Sequence, residues 1–164
     1  MTYKTYKNFE KGLGMVEIII VIAVILVAFT AILQLLQFEA QTERLRREEL
    51  RAYALVTEYL EAVRAVRDDG WTNISGLSTS VDYYAQISSG AWEITTIDPG
   101  PTDSYSRWFV IDSVNRDLND DIVSTGGTLD LDTLRVTAHI EWESAGTTTA
   151  RDITTYLTNW QEKL

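Results

Sequence analysis

With 164 residues, 45% of them apolar, and a formal net charge of −10, the chain has room for one ordinary domain plus a long appended element and enough apolar material for a core. The absence of cysteine excludes a disulfide framework, a thiolate metal site and a cysteine nucleophile. The C-terminal part, Asp69–Leu164, carries 5 basic and 15 acidic residues, a surface that repels nucleic-acid phosphates and anionic headgroups, so no direct nucleic-acid partner is expected.

Residues 1–12 form a short basic segment with Lys4, Lys7 and Lys11. After it, Ile18 to Leu33 reads IIIVIAVILVAFTAIL, and its only hydroxyl, Thr30, can bond back to its own helix. Extended to Leu13 and Phe38, the block has 26 residues, interrupted by Glu17, Gln34 and Gln37. As a helix it would be roughly 39 Å long, more than a hydrocarbon core of about 30 Å. A helix is also the one open single segment that satisfies its backbone in lipid. The preceding lysines predict a cytoplasmic N-terminus and an exported C-terminal part. The block is longer than a secretory h-region, and no small-x-small cleavage site follows it.

Glu17 is the one charge in this block. A carboxylate in an apolar helix is costly and rare without a partner. Two readings of the residue stand: it meets an α-amino group on a neighbouring chain, or it lies near the end of the span and reaches headgroups.

Beyond Phe38 the pattern becomes amphipathic. Leu45, Ala52, Val56, Tyr59, Val63 and Val66 recur at spacings of 3, 4 and 7 as one apolar stripe. Glu43–Arg47 and Glu48–Arg51 place opposite charges at helical spacing on other faces. No Pro or Gly falls between Met15 and Asp69, so one helix is predicted from about Leu13 to Arg67, with Gly70 supplying a left-handed residue at its end. The stripe is expected to pack on a sheet, the rival being a short coiled coil. With no Pro in the run, no kink is expected at Gln34.

After Gly70, Trp71–Ser80 reads as a loop. The predicted strands are Val81–Ser88, Ala91–Ile97, Tyr105–Val114, Thr133–Glu143 and Thr148–Thr158. Ser144-Ala145-Gly146-Thr147 is a candidate hairpin turn. Val136, Ala138, Ile140 and Trp142 share one face, suited to covering the helical stripe. The five Trp and eight Tyr are expected to supply core bulk and domain edges rather than a ligand box.

The stretch Lys11-Gly12-Leu13-Gly14-Met15-Val16-Glu17-Ile18 resembles the processing motif of type IV prepilins and pseudopilins: a short basic leader ending in Gly, an apolar first mature residue, a Glu four positions on, then about twenty apolar residues. It departs from the usual pattern at Leu13, commonly Phe, and Gly14, commonly Thr or Ser. The resemblance implies cleavage between Gly12 and Leu13 by a prepilin peptidase that also N-methylates the new terminus. It implies an assembly role for Glu17, pairing with the N-terminus of the neighbouring subunit. The fold it implies is α+β, one long N-terminal helix laid on a C-terminal antiparallel sheet. The chain then divides into a leader (1–12), a transmembrane and assembly helix (13–38), an amphipathic stalk helix (39–69) and an exported sheet domain (70–164). Residues 60–71, Leu134–Trp142 and Thr154–Trp160 are similar to minor-pilin-like proteins.

The implied function is that of a structural, non-enzymatic filament subunit, without cofactor. It waits in the cytoplasmic membrane with its N-terminus inside, and joins a filament at the cell surface. The implied partners are other pilin subunits, the peptidase, and an assembly motor with its platform. Adhesion, motility, DNA uptake and secretion all share this subunit architecture.

Other constellations are weaker. Asp117, Asp120, Asp121, Asp130 and Asp132 offer oxygen ligands for calcium, but their spacing is not that of an EF-hand, and the simpler reading is a solvated acidic loop. Asn73-Ile74-Ser75 matches a glycosylation sequon and is read as chance. The single histidine, His139, is expected on a polar face or edge of a strand rather than as a catalytic base. Two rivals to the filament reading remain: a single-pass membrane protein whose acidic ectodomain binds a partner without polymerising, and a membrane-anchored hydrolase with a carboxylate site.

Overall fold

A computed structural model of the chain describes residues 14–160. The architecture is α+β. Helix α1 spans Met15–Asp69, a short helix α2 spans Thr72–Ser75, and six strands follow: β1 (Tyr84–Ser88), β2 (Ala91–Thr95), β3 (Tyr105–Arg116), β4 (Ile122–Val123), β5 (Thr128–Ser144) and β6 (Thr147–Thr158). The chain divides into two compact units between Arg44 and Leu45. The second unit therefore takes in the C-terminal part of α1, because that is where α1 starts to bury side chains against the sheet: Ala52, Val56, Tyr59, Leu60, Ala62, Val63 and Val66.

Helix α1 starts where the Gly14 carbonyl accepts hydrogen bonds from the Glu17 and Ile18 N–H groups, at 2.9 and 3.2 Å. It ends without the left-handed glycine expected at Gly70, which is not among the positive-φ residues. Instead the Gly70 N–H bonds to the Arg67 carbonyl at 3.0 Å, and the Asn73 side-chain amide donates to the Val66 carbonyl at 3.3 Å. Two helix-end carbonyls are thereby satisfied, one by a tightened last turn and one by a side chain. Asn73 is thus committed to the helix end, which gives its place in the sequon a structural purpose.

Four strands form one antiparallel sheet in the order β4-β3-β5-β6, and β1 and β2 form a separate hairpin. The hairpin is fastened to β3 by a bridge between Tyr83 and Phe109, whose two N–H···O bonds are each 2.9 Å. Both hairpin turns use consecutive positive φ angles: Ser89 at 53° with Gly90 at 87°, and Ala145 at 51° with Gly146 at 79°. Such turns match the right-handed twist of the strands they join.

Alternation along β5 sends Val136, Ala138, Ile140 and Trp142 inward, where they meet Phe109 and Ile111 of β3 and the buried stripe of α1. Each fully buried aliphatic or aromatic side chain contributes about 1.5–3 kcal/mol. Polar ties line the same interface. Ser144 Oγ donates to Glu48 Oε2 at 2.6 Å, and Arg151 binds Glu49 with Nη2 at 2.9 Å and Nε at 3.2 Å. Arg107 lies 4.8 Å over the Tyr59 ring and donates to the Leu55 carbonyl at 3.3 Å. The Tyr59 hydroxyl accepts the Ala85 N–H at 2.9 Å, and burial pushes its pKa up.

The predicted strands are present with shifted ends. Strand β1 starts at Tyr84 rather than at position 81, and β2 stops at Thr95 rather than at 97. The loop expected after Gly70 contains α2, whose Ile74 is fully buried. The acidic stretch expected as a loop holds β4 and the start of β5, where Thr128, Leu129 and Asp130 continue the β3 pairing beyond a bulge at Ser113/Val114.

Candidate functional site

The first unit presents one feature, the apolar part of α1. Met15 to Phe38 comprises 24 residues, about 36 Å of helix. Its large side chains are all exposed, from Met15 at 81% to Phe38 at 66%. The most apolar 18-residue window of α1 has none of its residues buried, and by length and composition it is able to cross a membrane. Soluble monomers rarely leave so long an apolar surface uncovered. The one hydroxyl on this part of the helix is turned back onto it, Thr30 Oγ1 donating to the Val27 carbonyl at 2.8 Å. That removes a donor from an apolar surface.

Glu17 is exposed in the first turn of α1. A carboxylate there faces the positive end of the helix dipole, a favourable place for a negative charge. Gly12 and Leu13, the residues expected to flank a cleavage point, lie outside the described residues, as do Lys4, Lys7 and Lys11.

The acidic stretch is organised around a cation already in the chain. Arg116 Nε donates to Asp130 Oδ2 at 2.7 Å, and its Nη1 donates to the Asp120 carbonyl at 2.7 Å. The Asp130 side chain is 16% exposed. That desolvation pushes its carboxyl pKa up, but hydrogen bonds from Arg116, Thr133 and the Asp132 N–H, with the Arg116 charge, outweigh it and hold the value down at about 2. Asp117 accepts the Asn119 and Asp121 N–H groups at 2.8 and 3.0 Å, an Asx-type loop closure. Asp132 Oδ1 receives the Asn159 amide at 3.4 Å. The carboxylates of Asp117, Asp130 and Asp132 are thus engaged in local structure, Asp120 lies 3.6 Å from Arg116 Nε, Asp121 takes part through its backbone, and among the described residues no group of three His, Asp or Glu is placed to hold a metal ion. Arg116 organises the stretch and was not singled out from the sequence. Its signal was being the lone basic residue at the head of an acidic run.

The sheet face turned away from α1 is polar. His139 lies there on a central strand, its Nδ1 2.7 Å from Asp152 Oδ1 and its ring stacked on Trp108 at 5.3 Å and 16°. The three are direct cross-strand neighbours, so the cluster is a sheet-stabilising row. On the same face a cavity of about 270 Å³ is lined by Ser113, Val114, Val123, Arg135 and Tyr156 among others. Its Arg135 is tied to Asp112 at 2.9 Å.

Compared with protein-family models, with curated proteins and with solved structures, the chain has no match in any of the three.

Proposed function

We propose that this chain is a structural subunit of a type IV pilin-like filament, held in the membrane by the apolar part of α1 and then packed through that same helix against other copies. The observation that carries the proposal is the uncovered apolar surface from Met15 to Phe38 on a helix that also supplies a folded head with its core stripe. Within a membrane, lipid covers that surface. Within a filament, neighbouring helices take the place of lipid, and the acidic heads face water. Glu17 is the one carboxylate in the apolar stretch, and in such a core it needs a cation, which an α-amino group freed at Leu13 of a neighbour supplies. The partners in this reading are further copies or related subunits, the peptidase that frees Leu13, and the motor and platform that extract the subunit.

The test is to shear surface material from native cells and image it with antibodies to the head. Labelled filaments are expected, and Glu17→Ala should lower the incorporated amount about tenfold or more, because a lone charge is left in an apolar core. A chain confined to membranes, with Glu17→Ala indistinguishable from wild type, contradicts the proposal and favours a single-pass protein whose ectodomain binds a partner.

A further inference from the structure

The cavity on the polar face of the sheet lies wholly within the head. Cross-strand pairing sets Asp112, Arg135 and Tyr156 side by side in one row across β3, β5 and β6, on the face turned from α1. Next to that row the ladder is interrupted. Ser113 is paired with Leu134 but Val114 with Asp130, so residues 131–133 of β5 have no partner on β3. A bulge of this kind bends the strand and re-aims side chains. Beyond it, β4 is fastened to β3 through Asn115–Val123 and Arg116–Ile122, and Val123 and Ser124 form a second wall of the cavity. Arg116 braces the connection between the strands through its bonds to Asp130 and to the Asp120 carbonyl.

At about 270 Å³ the cavity is smaller than the roughly 300–1,000 Å³ of sites for drug-sized ligands, which limits its occupant to one small molecule. Arg135 brings a guanidinium fork, of which one nitrogen, Nη2, is engaged by Asp112 at 2.9 Å. Asp112 also offsets its charge, and the head, with 5 basic and 15 acidic residues from Asp69 onward, repels anions. An anionic ligand is disfavoured on both counts. Ser113, Ser124 and Tyr156 in the lining carry hydroxyls, each able to donate and to accept. Tyr156, 46% exposed, adds a flat apolar ring. Donors and acceptors beside one aromatic face, without net charge, match a molecule that carries several hydroxyls around an apolar ring. We propose that this cavity binds one neutral sugar residue, a hexopyranose with its ring face on Tyr156 and its hydroxyls on Arg135 and Ser124. This binding does not depend on the filament reading.

The full chain, solubilised in a detergent without a sugar headgroup, tests this by saturation-transfer NMR with glucose, galactose, mannose and N-acetylglucosamine as probes. At least one should receive saturation from the protein, with a dissociation constant of about 1–10 mM for so small a ligand. Arg135→Gln and Tyr156→Ala should each weaken that binding about tenfold or more. Arg135→Gln also frees Asp112, so Ser124→Tyr serves as the variant that leaves the central strands untouched. It fills the cavity from an exposed wall and should abolish binding at an unchanged urea midpoint. The methyl glycoside of the sugar that binds separates two sources, and either supports the site: equal binding assigns it to the end of a glycan chain, loss of binding to a free sugar. Absence of transfer to all four probes overturns the proposal, as does transfer that survives all three variants. Binding of glucuronate in preference to glucose overturns the neutral class.

Discussion

Phe29 is exposed on the apolar helix and Phe109 is buried in the head, and truncating each separates the surface proposed for assembly from the core. Phe109 is fully buried. Its ring meets Tyr59 of α1 edge-on, centroids 6.2 Å apart at 73°, and lies 5.8 Å from Tyr83. Phe109→Ala removes the ring at the point where helix, sheet and hairpin anchor converge. A loss of about 3–5 kcal/mol is expected, a large share of the 5–15 kcal/mol typical of a domain. Phe29 is 57% exposed on the apolar helix, and Phe29→Ala should change head stability by less than about 0.5 kcal/mol. The assay is urea unfolding of the detergent-solubilised full chain, followed by tryptophan fluorescence, with Trp108 and Trp142 as probes on the two central strands. The midpoint should fall for Phe109→Ala at an unchanged slope. The order reverses in cells, where Phe29→Ala should reduce filament incorporation while leaving a folded head. A loss below about 1 kcal/mol for Phe109→Ala, or equal losses for both, would refute the assignment of core and assembly surfaces.

Three further outcomes are expected of the head. The Asp130 carboxyl titrates at about 2 when folded, below its ordinary value of 3.8. Its contribution is therefore complete above about pH 4 and lost as pH falls through about 2, amounting to about 1–2 kcal/mol after allowance for its partial exposure. The stability gap between wild type and Asp130→Asn, read from urea midpoints, should shrink over that window, and a constant gap would contradict the account. Gly127 sits at φ +75°, and a Cβ there would lie 2.5 Å from the Arg116 carbonyl oxygen, so Gly127→Ala should cost about 2 kcal/mol or more, against about 1 kcal/mol for Gly126→Ala, where φ strain acts without a clash. Ala145 holds φ 51° ahead of Gly146, and Ala145→Asn should stabilise the head by about 0.5 kcal/mol, measured by thermal unfolding.

Much of the fold was legible because two periodicities are strong in this sequence. The stripe from Ala52 to Val66 and the alternation from Val136 to Trp142 name the two faces that meet in the core. Leu45, placed in that stripe by spacing, is instead 48% exposed, because it precedes the point where α1 begins to bury side chains. The acidic stretch was misread for a physical reason. Leu129-Asp130-Leu131-Asp132 alternates as a strand does, but aspartate is depleted in strands. Here Asp130 is offset by Arg116 across the β3–β5 pairing, a partner fourteen residues away. Strand β4, two residues long, has no local signal and exists only because β3 runs past its bulge to meet it.

Intact mass with N-terminal sequencing of the protein from its native cells tests the central claim most directly. The account predicts a mature chain that begins at Leu13, with or without one added methyl group, recovered together with surface filaments. Exported, mature protein that still begins at Met1 would contradict it and leave a single-pass membrane protein that does not polymerise.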